Sequence, residues 1–237
     1  MQALLRRATG FAGYYASFFY YLILLPFFDR TETEERFRSR LQKAIRLSLR
    51  GFGVKVIVTG QENLCDSASA IVVANHSSWF DQLALVAALD RPISFMVNPK
   101  YFRFWCLANV LRKLGCIPVS PQSDVQGPPV AESLASGRQL LERGKWLVIF
   151  PEGTRSTSLL PFRRGAAVLS QQTGFPLQPI IIHGALQILP RARSLFDVRP
   201  GEIRLEILPP KYMDQTDTAK AIISQIEAEF AVAQHGS

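Results

Sequence analysis

Cysteine and histidine are scarce in this 237-residue chain, at three residues each. Cys65, Cys106 and Cys116 are scattered, form no Cys-x-x-Cys pair and have no histidine at zinc spacing, so no metal site is expected. They read as small buried hydrophobes in a reducing compartment. Neither a Gly-x-Gly-x-x-Gly nor a Walker-type Gly-Lys-Ser occurs, which argues against dinucleotide and nucleotide chemistry. A Gly-x-Ser-x-Gly elbow is also missing, so a serine hydrolase of the usual α/β kind is not expected. Internal repeats and low-complexity tracts are absent. Basic residues are not interleaved along a groove-reading helix, so nucleic acid is not the expected partner. Acids are outnumbered, 19 against 27 Lys and Arg, and a formal charge of +8 calls for some anionic partner.

What the chain has in quantity is apolar surface. Hydrophobic residues make up 48% and mean hydropathy is +0.10, oily for a soluble enzyme of this length. Arg6-Arg7 precede a nearly unbroken, uncharged apolar run from Phe11 to Phe28. At about 18 residues it sits at the lower limit for spanning a bilayer. Its many Phe and Tyr residues suit an interfacial position. A secretory signal is the rival reading, but no small-x-small cleavage site follows Leu25-Pro26-Phe27-Phe28. A buried core helix is the other, and it must find partners for many large aromatics.

From Arg36 to Arg50 there are six basic residues and no acid. On a helix Arg36, Arg40, Lys43 and Arg50 share one side, while Phe37, Leu41, Ala44, Ile45 and Phe52 form an adjacent stripe. Behind an oily helix, this is the pattern of a helix lying on an anionic membrane surface rather than of an ordinary solvated face. Positive charge flanks the oily run on both sides, so the positive-inside rule gives no spanning orientation. The expectation is an anchor over residues 1–52 dipped into the cytoplasmic leaflet, with a single span as the alternative.

From Val54 onward the rhythm changes to short apolar segments separated by helical stretches. Strands are predicted at Val54–Thr59, Ala70–Ala74, Ile93–Val97, Cys116–Ser120, Trp146–Phe150, Leu177–Ile182 and Ile203–Leu208. Helices are predicted at Gln82–Leu89, Tyr101–Leu114, Val130–Arg143 and Gly165–Gln172, with a closing helix at Thr216–Ala233. Such alternation implies an α/β fold, a mostly parallel central sheet flanked by helices. Pro121 to Pro129 reads as a polar, turn-rich loop.

Two polar clusters sit at strand exits, the edge where open α/β sheets bind ligands. The first is Ala74-Asn75-His76-Ser77-Ser78-Trp79-Phe80-Asp81. The second is Phe150-Pro151-Glu152-Gly153-Thr154-Arg155-Ser156, followed by Phe162-Arg163-Arg164-Gly165. In a parallel sheet both emerge on one edge, so His76, Asp81, Glu152 and Arg155 are expected to line one cleft. A neutral imidazole takes a proton from a hydroxyl, and a carboxylate on the other ring nitrogen fixes the tautomer. Arg155 suits a phosphate, and Gly153 lets backbone amides approach a developing oxyanion. No Ser or Cys nucleophile is required if a substrate hydroxyl is itself the nucleophile, which points to direct acyl transfer. Ser78-x-x-Asp81 also fits a capping box, in which Asp81 merely holds a helix start.

Asn75-His76-x-x-x-x-Asp81 together with Phe150-Pro151-Glu152-Gly153-Thr154-Arg155-Ser156 resembles the glycerolipid acyltransferases of the 1-acylglycerol-3-phosphate type. Order and separation of the blocks match as well. Looser likenesses are Lys100 ahead of Gly115-Cys116-Ile117-Pro118-Val119, and Pro176-Leu177-Gln178-Pro179-Ile180. The resemblance covers roughly residues 54 to 210. It implies His76 as general base and Asp81 as its orienting partner. Glu152, Gly153, Thr154 and Arg155 would bind the acceptor, with Arg155 on its phosphate, and Lys100 would assist. No metal or resident cofactor is implied, because the co-substrate is acyl-CoA or acyl-ACP (the acyl carrier protein).

The resemblance makes residues 53–237 the acyltransferase domain of a membrane-associated protein at the cytoplasmic face. Its partners would be membrane lipids of an anionic bilayer surface, a lysolipid acceptor and the acyl donor. Lysophosphatidate is the first-choice acceptor. One departure bears on that choice: family members acting on lysophosphatidate usually carry an arginine just past the Gly-x-Ile-x-Val strand, where this chain has Val119-Ser120-Pro121-Gln122. A lysophosphodiester or lyso-aminolipid would need less positive charge. The readings from other classes are a lipid hydrolase using the same dyad with water, and a non-catalytic membrane-surface protein.

Overall fold

A computed structural model of the chain describes residues 12–13, 32–120, 129–190, 193, 197–214 and 216–235. Only Ala12 and Gly13 of the apolar run fall among them, so that part of the expected anchor lies almost wholly outside the described residues, as do 121–128 of the polar loop. No helix among the described residues is long and apolar enough to cross a membrane.

The chain enters through helix α1 (Glu34–Gly51) and strand β1 (Val54–Thr59). It continues through β2 (Ile71–Ala74), α2 (Phe80–Ala88) and β3 (Ile93–Val97). A 3-10 turn at Pro99–Arg103 leads to α3 (Trp105–Lys113) and the short β4 (Ile117–Pro118). Then come α4 (Val130–Glu142), β5 (Trp146–Ile149), α5 (Gly165–Thr173) and β6 (Leu177–His183). A one-turn α6 (Ala185–Ile188), β7 (Gly201–Ile207) and α7 (Ala219–His235) close the fold.

The seven strands form one sheet in the order β1-β7-β6-β2-β5-β3-β4. All neighbours are parallel except β6 and β7, so the expected mostly parallel sheet is what forms. Central strands of such a sheet are buried on both faces and read as continuous apolar runs. Every residue of β2 and β5 is buried. One face carries a core of Val72, Phe80, Leu85, Trp146 and Ile203 under α1 and α2. The other carries Ile71, Leu141, Leu169, Ile181 and Phe230 under α4, α5 and α7. Cys65 and Cys116 are free and buried, and burial pushes the Cys116 thiol up to about 12, which keeps it inert.

Three expectations need correction. The strand expected at Cys116–Ser120 pairs with β3 only over Ile117–Pro118, closed by Val119 N–H donating to Val97 O at 2.9 Å, and its proline suits an edge position. The helix expected over Tyr101–Leu114 breaks at Phe104, which turns extended (φ −85°, ψ 102°) to cap α3. The apolar stripe of α1 faces the domain rather than a bilayer. Phe37 and Phe52 are buried, and Leu41, Ala44 and Ile45 pack against the same core as β1 and α2. Gln42 and Arg46 also reach the carbonyls ending α2, with Arg46 Nε donating to Ala87 O at 2.7 Å and Gln42 Nε2 to Val86 O at 3.0 Å. The opposite side of α1 does carry exposed Arg36, Arg40, Lys43 and Arg50, as expected.

Candidate active site

β2 and β5 are adjacent and in register, Val73 beside Ile149, so both polar clusters leave the sheet at one edge. Beyond the last residue of β2, Asn75 extends the pairing with its side chain. Its amide donates to Ile182 O at 2.9 Å and accepts from Ile182 N–H at 2.7 Å, which fixes the exit of β2 against β6.

His76 comes next, and its Nδ1 lies 2.8 Å from Asp81 Oδ2. Asp81 is wholly buried, and the same oxygen accepts the backbone N–H groups of Ser77 (2.7 Å) and Ser78 (2.8 Å). Both sequence readings of Asp81 therefore hold at once: it closes the turn that starts α2, and it orients the imidazole. A carboxylate held by amide donors can only accept, so the neutral ring carries its proton on Nδ1. That leaves Nε2 as the ring's basic nitrogen. Ser78 Oγ donates to Leu189 O at 2.7 Å, tying the turn to the chain after α6. Phe150 stacks on the imidazole, with centroids 4.1 Å apart and planes at 18°.

The second cluster wraps around the first. Ser156 N–H donates to His76 O at 2.9 Å. Glu152 is 4% exposed, and both of its oxygens serve backbone amides: Oε1 accepts His76 N–H at 2.8 Å and Oε2 accepts Leu160 N–H at 3.2 Å. Burial pushes this carboxyl up to about 7. The two amide donors oppose the rise, and the nearby Asp81 charge adds to it. Gly153 has φ +72°, a left-handed conformation that glycine adopts without strain, and its N–H is spent on Phe150 O at 3.0 Å. The amide of Gly153 thus closes a turn and is not turned toward an oxyanion. Thr154 is exposed.

Arg155 lies over the Trp79 ring at 4.8 Å. Trp79 in turn meets Tyr101 edge to face at 5.0 Å, and Lys100 Nζ stands 5.2 Å from the Tyr101 centroid. Two cations are thus joined through two rings, a contact worth roughly 0.5–1 kcal/mol per cation at exposed sites. The structure brings together His76, Asp81, Glu152 and Arg155, and links Lys100 to them through this ladder. Sequence reasoning passed over Trp79, Tyr101 and Phe150 as site residues. Trp79 sits inside the first polar cluster, a signal that was available. The contact with Tyr101 joins residues far apart in the chain and left no trace in either segment.

A dyad of this geometry suits proton abstraction from a bound hydroxyl, and Ser78, beside it, spends its Oγ on Leu189 O. Comparison with known proteins agrees with that chemistry. The chain resembles the 1-acyl-sn-glycerol-3-phosphate acyltransferase of Bacillus subtilis, with 33% identity over 174 residues, 73% of this chain and 79% of that one. It also resembles the probable 1-acyl-sn-glycerol-3-phosphate acyltransferase of Mycoplasma pneumoniae, 30% identical over 65% of this chain and 58% of the relative. The fold matches the crystal structure of the 1-acyl-sn-glycerophosphate acyltransferase of Thermotoga maritima with a TM-score of 0.75, covering 98% of this chain and 97% of that one at 22% identity. The model of the acyltransferase family matches residues 55–183, from β1 through β6 and so across both clusters. With more than half of its length matched, the chain belongs to the acyltransferase family.

Proposed function

We propose that the protein transfers a fatty acyl group from a thioester to the free hydroxyl of 1-acylglycerol-3-phosphate, giving phosphatidate. The observation that carries this reading is the His76–Asp81 contact at 2.8 Å, with Asp81 buried and pinned by two amides. In the reaction, His76 Nε2 takes the proton of the acceptor hydroxyl as its oxygen bonds to the thioester carbonyl carbon. The carbon–sulfur bond then breaks, and the imidazolium returns that proton to the leaving thiolate. Asp81 keeps its hydrogen bond to Nδ1 throughout and stabilises the imidazolium. Arg155 holds the acceptor phosphate through its planar fork, with Lys100 assisting. The acyl donor is acyl-CoA or acyl-ACP, and no resident cofactor takes part. The enzyme works at the cytoplasmic face of a membrane, where its acceptor resides.

Acceptor choice rests on the names of the relatives, and the text after Val119 supplies the competing reading. Val119-Ser120-Pro121-Gln122 contains no basic residue, and a lysophosphodiester or lyso-aminolipid would need less positive charge than a phosphate monoester. A panel of lysolipids with one labelled acyl-CoA, repeated with acyl carrier protein, decides between them by which diacylated product appears. Label in free fatty acid alone would indicate a hydrolase, and no transfer to any lysolipid would reject the reading. His76→Ala is expected to lower kcat by roughly 10²–10⁴-fold while leaving the melting temperature unchanged. Arg155→Ala is expected to raise the lysophosphatidate KM, and an unchanged KM rejects its phosphate role.

A further inference from the structure

Phe104 and Trp105 are adjacent large apolar residues left 65% and 56% exposed. They stand where the 3-10 turn passes into α3, three and four residues beyond Tyr101, whose ring meets Trp79 beside Arg155. Their setting is basic. From Arg91 to Ser123 the chain has no Asp or Glu and five cations, of which Lys100, Arg103 and Arg112 are exposed. A folded domain gains nothing in water from two neighbouring exposed aromatics. Aromatic side chains ringed by Lys and Arg suit the headgroup boundary of an anionic bilayer, where rings enter the acyl region and cations meet lipid phosphates. Charge complementarity and continuity with the lipid-handling site both favour a bilayer over a protein partner.

We propose that Phe104 and Trp105 form a membrane-inserting wedge on the catalytic domain itself, separate from residues 1–52. It seats the mouth marked by Trp79 and Arg155 against anionic phospholipid, so that the acceptor passes to His76 without crossing water. The inference rests on the reading of the protein as a lysolipid acyltransferase.

The test uses the full chain and vesicles of phosphatidylglycerol and phosphatidylcholine. Phe104→Ser/Trp105→Ser is expected to weaken vesicle partitioning roughly ten-fold or more, with melting temperature and molecular mass in solution unchanged. Quenching of tryptophan fluorescence by lipids brominated along the acyl chain is expected for the wild type and to fall in Trp105→Phe. Unchanged partitioning with quenching insensitive to Trp105→Phe overturns the wedge. A change of oligomeric state in the double variant, with vesicle binding intact, also overturns it, because the patch would then pack against a second copy. Turnover of a short-chain, water-soluble lysophosphatidate separates the two ideas. Equal turnover by wild type and double variant supports the wedge, and lower turnover by the double variant overturns it; no turnover of any short-chain lysolipid by the wild type rejects the enzymatic reading, while vesicle partitioning and quenching still support or overturn the wedge.

Discussion

Glu152 gains a different task from the one its sequence position suggests. A carboxylate expected to touch the acceptor spends both oxygens on the N–H groups of His76 and Leu160. It braces the backbone that carries His76, and it joins the two polar clusters through a buried carboxyl. Holding that charge next to Asp81 is costly, which is why burial and the neighbouring carboxylate raise Glu152 to about 7. The linkage has a definite sign. Between about 4.5 and 7 the folded protein binds a proton that the unfolded chain has lost, so this contribution to stability is complete at low pH and fades as pH rises through 7. Glu152→Gln removes the titration. The stability difference between variant and wild type should therefore shift toward the variant from pH 5 to 7, by at most about 1.4 kcal/mol per pH unit. Denaturant melts across that range measure it, and a pH-independent difference rejects a buried, titrating Glu152. In kinetics, a brace predicts a lower kcat with little change in acceptor KM, whereas an acceptor ligand predicts the reverse.

Helix α1 shows which inferences a periodic pattern supports. Its apolar stripe and its basic face were both legible from spacing, because side chains three and four apart share a side. What covers the stripe was not, since period carries no information about the partner. The partner is the domain core: Phe37 is 1% exposed, with the Lys113 ammonium 5.2 Å from its ring centroid. Phe37→Ala should cost about 3–5 kcal/mol of folding stability in solution, with no lipid present. Leu47, 62% exposed on the other side, should tolerate Ser within about 0.5 kcal/mol. Equal, small effects at both positions would mean that α1 is only loosely docked. The strands were legible for a simpler reason: β1 covers the β-branched run from Val54 to Thr59, and β3 runs from the β-branched Ile93 to the β-branched Val97. The break at Phe104 was hidden, because apolar residues continue on both sides of it. The site divides in the same way. The His76–Asp81 pair lies within one turn and could be read from its spacing, while Trp79 against Tyr101 and Glu152 against His76 exist only once β2, β3 and β5 are assembled.

At the scale of the whole molecule, two kinds of surface are exposed, and salt separates them. The exposed basic side of α1 (Arg36, Lys43, Arg50) and the net charge of +8 act through water. Their reach shrinks as the screening length falls from about 10 Å at 0.1 M salt to about 3 Å at 1 M. Apolar insertion by Phe104 and Trp105 does not depend on screening in this way, and excluded salts strengthen it. Partitioning of the wild type onto phosphatidylglycerol vesicles should therefore fall with salt to a plateau above zero. The plateau should be lost in Phe104→Ser/Trp105→Ser, while the salt-sensitive part survives. Replacing Arg36, Lys43 and Arg50 with Gln should give the opposite result, a flatter salt dependence above the same plateau. The two variant sets are compared by vesicle co-sedimentation at stepped salt. If both lowered binding in the same proportion at every salt concentration, charge and insertion would not be separable contributions, and membrane association would have to come from a single surface.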